Sequence, residues 1–242
     1  MRSCTKVKEW LYSITPAFLL SLRDKILASP VGTRLARGTF WSLIAGCLSR
    51  SLALLASIII ARLLGKETFG ELGILQSTLE MFGSLAAFGM GLTSTKYVAE
   101  CRKSDPDKAG RIIAMSSVAA WLSGGLGTCI LIYLSSWLAS NALAAPQLAS
   151  LLRISSISLL FGAVNGAQVG GLAGFEAFKQ MAQINLVSGI LTVILRVTGT
   201  VVMGIQGAVY GMVIAQVVGC MINFLIIRRL AKGSGISIRY SN

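Results

Sequence analysis

The chain has 242 residues, of which 54% are apolar, 13% are charged and 26 are glycine, with 22 Lys and Arg against 9 Asp and Glu. A mean hydropathy of +0.73, with a charged fraction about half that of a soluble domain, excludes a water-soluble enzyme and a disordered tail. Charge-poor stretches recur from Phe40 onward, each long enough to cross about 30 Å of hydrocarbon as a helix, so the +13 charge reads as a topological signal and not as a nucleic-acid footprint.

Residues 1–39 differ from the rest. Trp10, Leu11, Ile14, Phe18, Leu19 and Leu22 recur at three- and four-residue spacing with Arg2, Lys6, Lys8, Arg23 and Lys25 between them. This pattern predicts an amphipathic interfacial helix on the cytoplasmic face, broken near Pro16. The other reading, a signal peptide, has its apolar run interrupted by Pro16 and by Arg23, Asp24 and Lys25.

Six transmembrane helices are predicted next, at about 40–61, 70–94, 112–137, 155–175, 182–204 and 206–227, within a domain of residues 40–228. A basic tail, 229–242, follows. Pro16, Pro30, Pro106 and Pro146 all fall outside these spans. The fold class is therefore an all-α polytopic membrane protein. With an even number of spans, seventeen basic residues fall on the side of the termini and three, Arg62, Lys66 and Arg153, on the other. The positive-inside rule then puts both termini in the cytoplasm of a multi-pass inner-membrane protein.

Small residues let helices approach closely in lipid. Gly162, Gly166, Gly170 and Gly174 form a ridge on the fourth span, and Gly207, Gly211, Ala215 and Gly219 repeat it on the sixth. Helix packing is the preferred reading of both.

A charge at mid-bilayer is costly, at least about 2.5 kcal/mol on insertion scales, so Arg50, Glu80 and Arg196 are the informative residues. Arg50 and Glu80 each fall about 15 Å into antiparallel spans and could pair. Arg196 has no acidic partner within the last four spans and lies on a stripe with Asn185, Ser188, Thr192 and Thr200. Asn165 and Gln168 lie beside the glycine ridge. A hydrated, cationic cavity lined by Arg50, Glu80, Asn165, Gln168, Asn185, Thr192 and Arg196 is expected, and it would suit an anion such as a lipid-linked pyrophosphate.

The chain has no His and no intramembrane Asp, which leaves acid–base and metal-assisted chemistry without candidates. The five cysteines show no ligand spacing, and the GxxxxGK[ST] phosphate loop is absent. No catalytic residue, cofactor, metal or nucleic-acid partner is expected.

The segments ARLLGKETFG, Ala61–Gly70, and FGMGLTSTKYVAE, Phe88–Glu100, together with GIQGAVYG, Gly204–Gly211, closely resemble polysaccharide flippases of the multidrug/oligosaccharidyl-lipid/polysaccharide exporter superfamily, the O-antigen translocase type. The resemblance implies a transporter that turns undecaprenyl-pyrophosphate-linked oligosaccharide across the membrane by alternating access, in polysaccharide, O-antigen and lipopolysaccharide biosynthesis. It also implies a bundle of two six-helix lobes, of which these spans supply the N-terminal one. The expected partners are the lipid-linked oligosaccharide, membrane lipid, a second lobe or a homodimer mate, and polysaccharide biosynthesis enzymes. A truncated gene, a fragment and half of a dimer all fit the length. Two other functions stay open: a cation-coupled drug exporter with Glu80 as the ion site, and a non-transporting scaffold in a polysaccharide synthase complex.

Overall fold

A computed structural model of the chain describes residues 30–87 and 89–233. Most of the expected interfacial helix, residues 1–29, and the end of the basic tail lie outside the described residues. The chain divides into two units, Met1–Ile44 and Ala45–Asn242. All packing described below lies within the second.

Five helices account for most of the described residues: α1 (Pro30–Ala87), α2 (Met90–Ser104), α3 (Pro106–Trp137), α4 (Ala149–Gly174) and α5 (Phe178–Gly233). A π turn, Leu138–Ala142, and a 3-10 turn, Pro146–Leu148, join α3 to α4. Among the described residues, four stretches are long and apolar enough to cross a membrane: Gly46–Ala87, Pro106–Ala142, Pro146–Gly174 and Phe178–Ala231. The protein is thus an all-helical, multi-pass membrane protein. Exposed Leu54, Leu122, Tyr133 and Val202 suit a surface solvated by lipid and not by water.

Sequence chemistry explains the ends of these helices. Between α2 and α3, the Asp105 amide donates to the Cys101 carbonyl at 2.8 Å, and its carboxylate accepts from the Lys108 amide at 2.9 Å. Pro106 starts the next helix, where its missing N–H does no harm.

The expected six segments are here four continuous stretches, two of which are broken by a single glycine. The breaks are Gly65 (φ 77°) in α1 and Gly204 (φ 61°) in α5, at backbone angles that side-chain-bearing residues rarely adopt. Gly65 falls in the interval left between the first two predicted spans, and Gly204 is the last residue of the predicted fifth. At 1.5 Å per residue an unbroken Phe178–Ala231 helix would reach about 80 Å, far beyond a bilayer.

The chain doubles back at Gly204. A Cβ on Gly199 would overlap the Gly207 backbone, and one on Gly211 would overlap Leu195 and lie 2.9 Å from the Arg196 Cα. Farther out, a Cβ on Gly219 would lie 3.8 Å from the Ser188 hydroxyl. Partners recede from the break in opposite directions, so the two arms of α5 are antiparallel.

Other contacts fix the neighbouring helices. Glu71 meets Gln147, Gly83 meets Leu159, Thr95 meets Gly170 and Val98 meets Gly174, at a nearly constant offset in number. The second arm of α1, followed by α2, therefore runs parallel to α4. In α3 the order is reversed: Gly124 packs on Leu160 and Ala163, Thr128 on Ser156, and Ser135 on Arg153. Two apolar cores hold the bundle, one around Leu72, Leu75, Leu131, Leu152 and Val209, the other around Val98, Ile113, Leu172, Ile184 and Ile227.

The glycine ridge of α4 is used over half its length. A Cβ on Gly170 would overlap the Gly91 backbone, and one on Gly174 would lie 2.7 Å from the Val98 Cβ. At Gly166 a Cβ would meet nothing within 4 Å, and at Gly162 only the Gln216 amide at 3.4 Å. The crossing with α2 thus needs the later pair, and the Thr95 hydroxyl ties it further by donating to the Gly91 and Gly170 carbonyls at 2.8 and 3.0 Å.

Candidate substrate cleft

Arg196 sits on the first arm of α5, one turn after Thr192 and one before Thr200. Both threonines bond within their own helix, Thr192 to the Ser188 carbonyl at 2.7 Å and Thr200 to the Arg196 carbonyl at 2.6 Å. Their hydroxyl protons are thereby used locally. The arginine has no such outlet: its Nε is buried and makes no hydrogen bond.

The Arg196 side chain lines a cleft of 480 Å³ built from four elements. The second arm of α1 contributes Gln76, Glu80 and Gly83, α4 contributes Ser158 and Gly162, and the second arm of α5 contributes Gln216. Gln76 and Glu80 lie one helical turn apart and so share a face. Leu79, Leu159 and Met212 form apolar parts of the wall. Ser158 donates to the Ser155 carbonyl at 2.6 Å, which leaves its oxygen as an acceptor.

Glu80 is exposed, and among the described residues no ion pair joins it to Arg196 or to Arg50. An ion pair of Arg102 with Glu176, at 2.5 Å, lies by the turn between α4 and α5. The cleft therefore holds one cation, one anion and two carboxamides, and its formal charge is zero. The expected surplus of positive charge would need Arg50, which is exposed and does not line the cleft. Depth along a helix set Arg50 beside Glu80 in the sequence reading. Pairing also depends on rotation about the helix axis, which depth does not specify.

Of the seven residues singled out from the sequence, the cleft brings together Glu80 and Arg196. Asn165 accepts a short hydrogen bond from the Asn223 amide across α4 and α5. Gln168 is 6% exposed, and its Oε1 lacks a partner. The exposed Asn185 accepts from the Ser49 hydroxyl through its main-chain carbonyl at 3.5 Å, and Thr192 serves its own helix. Gln76 and Gln216 were missed. The sequence held a signal for the first, which stands one helical turn before Glu80.

Residues 35–240 match the family model described as polysaccharide biosynthesis protein. The chain belongs to that family. It is 26% identical over 199 residues to stage V sporulation protein B of Bacillus subtilis strain 168, covering 78% of this chain and 37% of that protein. Its fold is similar to an outward-facing multidrug resistance MATE family transporter of the MOP superfamily, with a TM-score of 0.70, 19% identity, and coverage of 81% of this chain and 45% of that one. A MOP superfamily transporter from Pyrococcus furiosus, described by the reverse polarity of its binding pocket, matches with a TM-score of 0.70 and 18% identity over the same shares. The polysaccharide biosynthesis chain thus has the MOP-superfamily fold and spans less than half the length of these relatives.

Proposed function

We propose that the protein is one six-span lobe of a membrane transporter that moves a polyprenyl-pyrophosphate-linked oligosaccharide across the inner membrane, for O-antigen or related polysaccharide assembly. Each arm of α1 and α5 then counts as a separate crossing, and both termini are cytoplasmic, a reading that the distribution of basic residues supports. Transport proceeds by alternating access around a cavity completed by a second lobe, from another polypeptide region or a second copy.

The observation that carries this reading is the buried, unpartnered Arg196 Nε in a cleft shared with Gln76 and Gln216. A guanidinium is the side chain best shaped to hold phosphate oxygens in two directions, and carboxamides add neutral donors. Membership of the polysaccharide biosynthesis family supports the saccharide class. Arg50, Asn165, Gln168, Asn185 and Thr192 remain candidates for the path outside the cleft.

Glu80 favours a role for a coupling cation. A bare carboxylate in the same cleft opposes an anionic guest, and a proton or Na⁺ on Glu80 would remove that opposition. The same feature suits a cation-coupled exporter of cationic drugs. The two are separated by reconstituting the protein in proteoliposomes and comparing flipping of a labelled polyprenyl-pyrophosphate glycan with export of a cationic dye. The flippase reading predicts glycan transfer that Arg196→Ala abolishes. Dye export that survives Arg196→Ala and is lost in Glu80→Gln would replace it.

A further inference from the structure

A second cleft, of 340 Å³, lies between the two arms of α5 toward the end away from Gly204. It shares no residue with the Arg196 cleft. Ile184, Val187, Ile222, Ile226 and Leu230 make its wall, and Gln180, Gln183 and Arg229 are its polar residues. We infer that it seats one glycerophospholipid with an anionic headgroup, its phosphate on Arg229 and Gln180 and an acyl chain along the aliphatic wall.

The antiparallel register of the arms arranges these groups by depth. From Gln180 to Val187, and from Arg229 back to Ile222, the chain climbs seven residues, or about 10 Å. Both polar residues thus lie at the end bordered by the α4–α5 turn, while Val187 and Ile222 lie deeper. Headgroup chemistry above and hydrocarbon below is the profile of a lipid molecule standing in its leaflet.

Charge complementarity identifies the headgroup. No acidic residue lines the cleft, and the nearest along the chain, Glu176, is engaged with Arg102. The neighbouring Arg228 is stacked over the Phe224 ring at 4.4 Å, so Arg229 is the guanidinium left to serve the groove. A single guanidinium with carboxamide donors suits one phosphodiester. A pyrophosphate bearing a glycan needs more room, and the Arg196 cleft is the larger of the two, 480 Å³ against 340 Å³. The lipid would brace the hairpin whose tip is Gly204, independently of what Arg196 binds.

The test is native mass spectrometry of the full-length protein released from detergent containing phosphatidylglycerol, phosphatidylcholine or a polyprenyl phosphate. Wild type should keep one phosphatidylglycerol and no comparable phosphatidylcholine. Arg229→Ala should reduce occupancy about fivefold, the scale of one basic residue near an anionic surface. Val187→Trp, which fills the groove and leaves the charge unchanged, should also reduce it, while Arg228→Ala should not. If Arg229→Ala does not fold, Arg229→Gln keeps the stem and makes the same comparison. Equal losses in the Arg228 and Arg229 variants, retention in Val187→Trp, or preferential capture of the polyprenyl phosphate would each overturn the assignment.

Discussion

Glu80 and Arg196 line one cleft from helices distant in sequence, yet among the described residues they form no ion pair. Two opposite charges held apart in a shared cavity are each free to meet a guest. If Glu80 opposes an anionic guest, Glu80→Gln should bind polyprenyl pyrophosphate at least as tightly as wild type and lose most of any Na⁺ dependence. Isothermal titration calorimetry with and without Na⁺ checks this. A variant that binds as weakly as Arg196→Ala would assign Glu80 to the phosphate contact instead.

Close backbone approach should make some glycines intolerant and others indifferent. Gly207→Ala and Gly170→Ala place a methyl group against carbonyl backbone, and each should destabilise the protein by about 1–3 kcal/mol or more. Gly166→Ala has open space and should be neutral or slightly stabilising. Thermal unfolding in detergent ranks them; equal losses at Gly166 and Gly170 would refute the crossing described for α2 and α4.

The proposed six crossings make a topological prediction. In a cysteine-free background, single cysteines at Glu67 and Ala144 should react with an impermeant maleimide added outside whole cells. Cysteines at Asp105 and Glu176 should react only after permeabilisation. Outside labelling of Asp105 would reverse the orientation, and same-side labelling of all four would remove the alternation.

The pair Asn165–Asn223 is a structural tie between α4 and α5. Asn223→Ala removes a buried donor and should cost about 1–2 kcal/mol in unfolding, with pyrophosphate affinity unchanged within twofold. A large loss of affinity at full stability would move Asn223 into the binding machinery.

Much of the fold could be read from residue order alone, because apolar length, proline placement and the glycines at 65 and 204 are local properties. The π turn after Trp137 and the helical continuation up to Gly65 escaped, since neither leaves a compositional mark. At the site, Arg196 was conspicuous by its cost in lipid, and Glu80 likewise. Their association was not, because helix rotation and the offset between α1 and α4 are set by packing such as Gly83 on Leu159. Arg50 does not line that cleft. Gln216 carried no signal, since it stands apart from any polar stripe in a mostly apolar arm.

The central claim is that Arg196 is held unpaired to receive a phosphate group. Its most direct measurement is the affinity of the purified full-length protein for a short-chain polyprenyl pyrophosphate, compared across wild type, Arg196→Ala, Arg196→Lys and Arg50→Ala. Loss of a charged hydrogen bond, about 1.5–3 kcal/mol, predicts at least tenfold weaker binding for Arg196→Ala, partial recovery with Lys, and little change for Arg50→Ala. Binding by Arg196→Ala equal to wild type would contradict the account.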